Sequence, residues 1–276
     1  MNTELYKYDN LIEDIDLVKR PSKTIKSPYI ADILVNNKEE YAHCPALGVS
    51  GLLNNSTTFL CSKNENSKRK SKYTIELVYL PSTKNTYTLT NTNPLFGNRI
   101  FANIIKNNLL EEYKNNSVFK AEKNYKDSRF DFYIKKENNR EEFIEVKSVL
   151  LCDFMKDDYP ANIIKNPEIS KLENYKKAAI FPDGFRKNKN VPISTRAIKH
   201  LETLEDCVQN GYDATLCFIV QREDCDYFKP SNVDQFYYSA LQKAKNNGVN
   251  IIAIKVRWTN TGQCLFQNKI DVIIPK

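Results

Sequence analysis

A short stretch near the middle of the chain carries two carboxylates and an amine in an arrangement suited to phosphodiester hydrolysis. The stretch, residues 128–148, reads SRFDFYIKKENNREEFIEVKS and contains Asp131, Glu145 and Lys147. Carboxylates bind Mg²⁺ together with water and substrate phosphate. An ammonium group beside them can steady an attacking water or the charge that develops on a phosphate. Asp131 and Glu145 are therefore candidate ligands for Mg²⁺ or Mn²⁺, and all three residues are candidate catalytic groups.

The alternation of residue types predicts a β-hairpin that brings these groups together. If residues 137–139 form a three-residue loop, Asp131 lies directly opposite Glu145, with Cβ atoms about 5 Å apart. In the same register Phe130 faces Val146 on the opposite face of the hairpin, and that face is uniformly apolar. A two-residue loop would separate the carboxylates and mix the apolar set, so the three-residue loop is favoured.

The same residues also have a purely structural interpretation. Lys147 lies two residues beyond Glu145 and hence on the same face of the strand. Ladders of carboxylates and lysines are common on solvated sheet faces, where they contribute little to stability. Two facing carboxylates repel each other, and a bound divalent cation would remove that repulsion. The short pattern alone leaves both interpretations open.

The chain around the hairpin predicts a mixed α/β fold. Residues 27–90 read as strands of five to eight residues separated by turns, which is typical of a small β-barrel or sandwich. From about residue 94 the spacing of apolar residues becomes helical, with Ile100, Ile104 and Leu110 near one face. A strand at 117–123 is then expected before the hairpin.

The rest of the chain is predicted to continue with alternating helices and strands. Residues 153–193 are a polar insert punctuated by prolines. A helix is predicted to begin at Ser194 or Thr195, both good N-caps, and to end at Asn210–Gly211. The segments 214–221, 233–248 and 249–258 then read as strand, helix and strand. That order predicts a βαβ unit and hence a partly parallel sheet.

Composition limits the classes of protein. The 276 residues have a formal net charge of +7, which is compatible with a polyanionic partner. The acidic first twenty residues lack the apolar core of a secretory signal. No run approaches the roughly 20 apolar residues of a spanning helix, so no membrane association is expected. Seven scattered cysteines without CxxC fit reduced thiols and an intracellular, cytoplasmic location, without excluding a nuclear one. With only two histidines, the ligand spacing of a zinc site is absent.

Three further groups of residues are candidates for binding. A basic segment at 62–73 would contact phosphates and could stack a base on its aromatic ring; its candidate residues are Lys63, Lys68, Arg69, Lys70, Lys72 and Tyr73. Arg196, Lys199 and His200 share a helix face that could touch a phosphate backbone. Gln221 and Arg222 end a buried strand, where active-site residues of α/β sheets often lie. In each case ordinary surface solvation is the competing explanation.

Ordered sequence blocks along most of the chain resemble one family. The chain has an Asp followed by Glu-x-Lys in a core whose elements follow the order helix, three strands, helix and strand. This combination resembles the PD-(D/E)xK nuclease superfamily. More specifically, the chain resembles the sugar fermentation stimulation protein A (SfsA) family. The matching blocks are AHCP (42–45), KRKSKYTIELV (68–78), NTNP (91–94), SRFDF (128–132), EVKSVLL (145–151), FPDGF (181–185), RAIKHLETL (196–204), IVQREDCDYFKPSNVD (219–234) and NNGV (246–249), with Gly48 and Gly51 after the first.

The resemblance implies an OB-like β-barrel over residues 1–90 and a nuclease-like domain over 91–276. It assigns Asp131, Glu145 and Lys147 to the family's candidate metal and catalytic positions. Family members are described as DNA-binding, and a nuclease role is inferred from the fold. The resemblance therefore implies a nucleic-acid-binding protein, with DNA favoured over RNA, that is a metal-dependent nuclease or a non-catalytic regulator on the same fold.

The chain departs from the family pattern in three places. Ala46-Leu47 stand where the family has Asn-Thr, and the first core helix carries Phe101-Ala102-Asn103 where acidic residues are usual. Any extra metal-binding carboxylate from that helix is therefore missing. The insert at 153–180 is also longer than the family pattern implies, which would alter access to the site.

Overall fold

The structure is a computed structural model in which two β-sheets and three α-helices make up most of the described chain. It describes residues 3–13, 15–45, 52–54, 57–65, 69–82, 87–114, 116–154, 175–182, 190–231 and 233–275. Lys68, the Ala46-Leu47 pair, Gly48, Gly51 and most of the predicted polar insert lie outside these ranges. None of the described helices is long and apolar enough to cross a membrane.

The first sheet is barrel-like and has six strands in the order β2-β3-β4-β6-β5, with β7 on β6. Its strands are β2 (Ile15–Lys19), β3 (Ile30–Val35), β4 (Lys38–His43), β5 (Phe59–Lys63), β6 (Tyr73–Pro81) and β7 (Tyr87–Asn91). An antiparallel bridge between Ile12 and Cys61 brings the chain before β2 onto β5. The all-β pattern predicted for residues 27–90 is confirmed by β3 to β7, and β2 adds a strand that was not predicted.

The second sheet has ten strands in the order β11-β12-β14-β16-β15-β13-β10-β9-β8, with β1 on β16. Its strands are β1 (Glu4–Lys7), β8 (Asn116–Tyr125), β9 (Ser128–Lys136), β10 (Glu141–Val149), β11 (Leu151–Asp153), β12 (Ala178–Phe181), β13 (Asp213–Val220), β14 (Tyr227–Pro230), β15 (Asn250–Trp258) and β16 (Gln263–Val272). The centre is parallel, because β13 pairs in parallel with both β10 and β15. The predicted mixed sheet is confirmed.

Helices cover both faces of the large sheet. They are α1 (Phe96–Lys106), α2 (Thr195–Gln209) and α3 (Gln235–Asn246), with a 3₁₀ turn at Glu111–Tyr113. Residues of α1 share one core cluster with Ile144 and Val146 of β10. Residues of α2 and α3 share a second cluster with Phe143 of the same strand. Because successive side chains of a strand point to opposite faces, β10 is buried between the helix layers.

The second core helix begins where the sequence predicts. The Ser194 side chain accepts a hydrogen bond from the backbone N–H of Ala197, which satisfies one of the unpaired donors of the first turn of α2. The helix ends at Gln209, and Gly211 adopts a φ of +84°. The predicted N-cap and helix end are both confirmed.

Besides β2, several strands of the large sheet differ from the sequence predictions; they include the short β11 and β14. β1 lies in the large sheet, so the predicted barrel range of 1–90 begins with a strand of the other sheet. β12 falls inside the predicted polar insert, where Ala178 and Ala179 are fully buried. β16, which pairs antiparallel with β15, was not predicted. β1 and β12 are short strands that pair with segments distant in sequence, and the polar stretch within β16 hides its strand pattern.

Candidate active site

The hairpin of β9 and β10 has the predicted register. Phe132 pairs with Ile144 and Tyr133 with Phe143. The backbone N–H of Lys136 donates to the Arg140 carbonyl at 2.9 Å, which closes the loop at residues 137–139. Asn139 in this loop has a φ of +63°, a conformation that asparagine tolerates better than most residues. The three-residue loop is therefore confirmed.

Beyond Phe132 the regular ladder ends, and the Asp131 side chain replaces it. Asp131 Oδ2 accepts the backbone N–H of Val146 at 2.8 Å, and Oδ1 accepts a hydrogen bond from Asn98 Nδ2 of α1 at 2.6 Å. Phe130 and Phe132, two residues apart, pack in different core clusters, so the alternation of faces along β9 is broken at Asp131. Phe130 packs in the cluster with α2, whereas Val146 packs in the cluster with α1. The expectation that Phe130 faces Val146 on one apolar face was wrong for this reason.

Glu145 is almost fully buried, with 2% of its surface exposed. Its Oε1 atom accepts a hydrogen bond from Lys147 Nζ at 2.5 Å and another from His200 Nδ1 of α2. Lys147 Nζ also lies 3.2 Å from His200 Nδ1. The other carboxylate atom, Oε2, is buried and has no hydrogen-bond partner among the described residues. An unpaired buried carboxylate oxygen is costly, which makes it a natural position for a bound cation.

The two carboxylates have pKa values shifted in opposite directions. Burial, and then the charge of Glu145, raise the pKa of Asp131. Burial alone would raise the pKa of Glu145 as well, but the hydrogen bond from His200 and the charge of Lys147 outweigh it and lower the pKa. Opposite shifts in neighbouring carboxylates are common at catalytic and metal-binding sites. A divalent cation between the two groups would favour ionisation of both.

The two carboxylates and the Lys147 ammonium group line one cavity of about 430 Å³. Asn98 lines it as well. Tyr29 and Pro45, near the ends of β3 and β4 of the barrel-like sheet, form part of the wall, and Arg196 and Ser148 are also among the lining residues. The cavity is therefore lined by residues next to both sheets. A cavity of this size is in the range of ligand pockets.

The donor set fits a hard divalent cation. Asp131 and Glu145 supply carboxylate oxygens in one cavity, and Glu145 Oε2 has no other partner in the described chain. Mg²⁺ and Mn²⁺ prefer such oxygen ligands and complete their coordination with water and phosphate. Asn98 is a site residue that sequence reasoning missed. α1 has no acidic residue, as predicted, but contributes this amide to fix Asp131.

The helix face of α2 is divided between the site and the surface. His200 was predicted to contact nucleic acid, but the structure places its ring against Glu145. Arg196 lines the cavity, and its Nε lies 3.4 Å from His200 Nε2. Lys199 is exposed, and only its backbone carbonyl has a described contact, to Thr203. Arg196 and His200 are thus brought to the carboxylates and Lys199 is not.

The basic segment is only partly available for binding. Lys63, Arg69 and Lys70 are exposed. Lys72 forms an ion pair with Glu40 at 2.6 Å. Tyr73 is 8% exposed and packs in the barrel core. The interpretation of Tyr73 as a base-stacking ring was therefore wrong, because its strand position points it inward.

Gln221 and Arg222 have different roles at the end of β13. Gln221 is fully buried, and its side-chain Nε2 donates to Ser148 Oγ at 2.9 Å. Its side-chain Oε1 accepts a hydrogen bond from Trp258 Nε1. Because Ser148 lines the cavity, Gln221 supports the site from behind. Arg222 instead forms two hydrogen bonds to the buried Asp224, at 2.9 and 2.8 Å.

Asp224 belongs to a second cluster that could hold a metal, together with Cys152 and Cys225. The fold thus assembles cysteines that are far apart in sequence, which corrects the spacing argument against such a cluster. Arg222 and Lys177 already donate to both oxygens of Asp224, and burial raises the pKa of the Cys225 thiol. Both effects disfavour a cation here, so the hairpin carboxylates are the better metal site.

Arg222→Met is expected to lower the free energy of unfolding by about 3 kcal/mol, because it removes one of two cationic partners from a buried carboxylate. Although burial opposes it, pairing with Arg222 and Lys177 lowers the pKa of Asp224. The contribution is therefore present above the ordinary pKa of an aspartate and is lost as pH falls through the lower folded value. Urea denaturation at neutral and acidic pH measures both effects.

Arg257→Met is the matched control, since Arg257 forms a partly exposed pair with Glu223 at 3.9 Å. Its cost should stay below about 1 kcal/mol. Equal losses in the two variants would show that the Arg222–Asp224 pair has no special importance.

Comparison with known proteins gives a consistent result over most of the chain. The family described as "Sugar fermentation stimulation protein RE domain" matches residues 95–161 and 164–262. A sugar fermentation stimulation protein homolog of Pelagibacter ubique is 34% identical over 248 residues, covering 89% of this chain and 91% of the relative. The homolog from Clostridium beijerinckii is 30% identical over 251 residues, covering 90% and 91%.

A solved structure shares the fold. The structure of Pyrococcus furiosus SfsA in complex with Ca²⁺ superposes with a TM-score of 0.74 and 19% sequence identity. The match covers 99% of this chain and 100% of that one. The arrangement of a barrel-like sheet followed by a larger mixed sheet is therefore common to both proteins.

Proposed function

The chain belongs to the family of sugar fermentation stimulation proteins, and we propose that it is a divalent-metal-dependent nuclease. The observation that carries this proposal is the buried, unpaired Oε2 of Glu145 in the same cavity as Asp131 and Lys147. A carboxylate ladder with a purely structural role would have its oxygens paired or solvated. An intracellular location is part of the proposal.

Asp131 and Glu145 would hold the metal. When bound, the metal would polarise a phosphate oxygen and lower the pKa of a water molecule. Asn98 and the Val146 N–H fix the Asp131 carboxylate, so it needs little reorganisation to bind. His200 holds Glu145 through Oε1 and leaves Oε2 available.

Lys147 would orient the attacking water and stabilise charge on the phosphate. Its ammonium group is fixed by Glu145, and its side chain is only 16% exposed. A fixed cation in a partly desolvated cavity interacts with a developing anion more strongly than a mobile surface lysine does. Arg196, which is exposed on the cavity wall, would add a contact to a neighbouring phosphate.

The proposed partner is nucleic acid, with DNA favoured over RNA. The cations around the cavity and the net charge of +7 support a polyanionic substrate. Exposed Lys63, Arg69, Lys70 and Lys199 would supply further phosphate contacts. Binding should weaken as salt increases.

A non-catalytic, DNA-binding regulatory protein is the second candidate function. The observation that favours it is the absence of any acidic side chain on α1, which limits the site to two carboxylates from the hairpin. Such a protein would bind DNA equally well with and without metal. It would not cleave any nucleic acid.

Cleavage assays with different metals distinguish the two functions. With Mg²⁺ or Mn²⁺ we expect cleavage of labelled DNA or RNA at least about 100-fold faster than in EDTA, a difference of roughly 2.7 kcal/mol in barrier height. Ca²⁺, which is present in the related structure from Pyrococcus furiosus, should compete for the site because it also takes oxygen ligands. It should therefore slow the Mg²⁺ reaction. Salt-sensitive binding with no cleavage under any of these conditions would instead support the regulatory function.

A further inference from the structure

The barrel-like domain presents an aromatic ring at the wall of the proposed active site. Tyr29 lines the cavity and is 39% exposed. Its backbone is fixed, because its carbonyl accepts the N–H of Cys44 at 2.8 Å and its N–H donates to Ser27 Oγ at 3.3 Å. An exposed aromatic ring on a fixed backbone is preorganised for stacking.

His43 extends this aromatic surface. Its ring centroid lies 6.3 Å from that of Tyr29, with the planes tilted by 38°. Burial, and then the charge of Arg69, lower the pKa of His43, which favours the neutral form of its ring. His43 pairs with Thr74 of β6, and Thr74 directly follows the basic segment at 62–73. The two rings thus form one aromatic surface that begins at the cavity wall with Tyr29.

The other walls suit the remaining parts of a nucleotide. Leu95, which also lines the cavity, is 76% exposed, and Arg196 supplies a cation. Proteins bind single strands by combining a cationic path for the backbone with aromatic rings on which bases stack. A continuous duplex cannot use such a ring, since its bases are stacked on each other and must be extruded first.

We infer that Tyr29 and His43 form a base-stacking platform that selects unpaired nucleotides as the substrate class, in single-stranded nucleic acid or single-stranded ends. The phosphate next to the stacked base would then reach Asp131 and Glu145. This inference rests on the proposed function for the reaction, but the stacking platform itself requires only binding.

Binding measured in EDTA tests the platform without interference from cleavage. Fluorescence anisotropy of a labelled oligothymidylate of about 12 nucleotides, within the usual site size of barrel modules, would be compared for the wild type and Tyr29 variants. Tyr29→Ala should weaken binding about 5- to 150-fold, the range for loss of one stacked base. Tyr29→Phe, which keeps the ring, should bind like the wild type. Tyr29→Leu keeps apolar bulk without the ring and should bind weakly.

Tyr87→Ala is the matched control. Tyr87 is on the same domain and is 42% exposed, but does not line the cavity. This variant should bind like the wild type, and a blunt duplex should bind more weakly than the single strand and be insensitive to Tyr29→Ala. Unchanged single-strand binding in Tyr29→Ala, or an equal loss in Tyr87→Ala, would overturn the inference.

The failure of the inference can be separated from the failure of the proposed function. Metal-dependent cleavage by the wild type combined with unaltered binding by Tyr29→Ala would reject only the platform. Selective loss of single-strand binding in Tyr29→Ala, without cleavage by the wild type, would support the platform and reject only the nuclease.

Discussion

Asp131→Asn is expected to reduce the single-turnover rate of nucleic-acid cleavage by about 1,000-fold, a loss of roughly 4 kcal/mol of transition-state stabilisation. The substitution keeps the size of the side chain. The new amide can still accept the Val146 N–H and face Asn98, so the fold should persist. What is removed is the negative charge that would hold the proposed metal beside Glu145. Quenched-flow or gel assays with Mn²⁺ measure the rate, and circular dichroism checks the fold.

The matched control for this prediction is Asp127→Asn. Asp127 is exposed near the turn that precedes β9 and does not line the cavity. Its substitution should leave the rate within about twofold, because an exposed charge is screened by solvent. A folded Asp131→Asn protein that cleaves like the wild type would rule out Asp131 as a metal ligand.

Lys147→Met is expected to lower the cleavage rate by about 100-fold or more, within the range for loss of a positioned acid–base or charge-stabilising group. Methionine retains much of the aliphatic stem and removes only the ammonium group. The Lys147 ammonium group donates to Glu145 Oε1, whereas the proposed metal would bind Oε2. Removing the ammonium group should therefore not weaken binding of Mn²⁺. A large loss of rate with unimpaired metal binding is therefore the signature of a catalytic role.

Lys120→Met provides the comparison for Lys147. Lys120 is an exposed lysine of β8 in the same sheet and does not line the cavity. Its loss should at most weaken substrate binding through one phosphate contact. If Lys147→Met and Lys120→Met changed the rate equally, Lys147 would be an ordinary surface cation.

The sequence was most informative where short-range patterns determine structure. The register of the hairpin followed from its alternation, since one slip would turn every apolar residue of a strand to the wrong face. The start of α2 followed from the capping chemistry of Ser194. The order of strand, helix and strand around α3 followed from the change in hydrophobic period. In each of these cases the decisive residues are neighbours in the chain.

The remaining features depend on contacts between distant segments. No local pattern shows that His200 lies against Glu145, 55 positions earlier, although its helical spacing to Arg196 was apparent. Asn98 is an ordinary helix residue until α1 packs beside Asp131. Tyr73 belongs to an alternating segment in which its burial depends on how the barrel is assembled. That Asp131 and Glu145 line one cavity was therefore predictable, whereas the residues that hold them in position required the three-dimensional structure.

Binding of Mn²⁺ to the purified protein is the most direct test of the central claim, because it does not depend on finding the right substrate. Isothermal titration of the wild type, Asp131→Asn and Asp127→Asn would give the affinity and stoichiometry of the ion. We predict saturable binding to the wild type and to Asp127→Asn, and binding weakened at least tenfold, about 1.4 kcal/mol, in Asp131→Asn. No saturable binding to the wild type, or equal affinity in Asp131→Asn, would contradict a metal centre at the hairpin carboxylates.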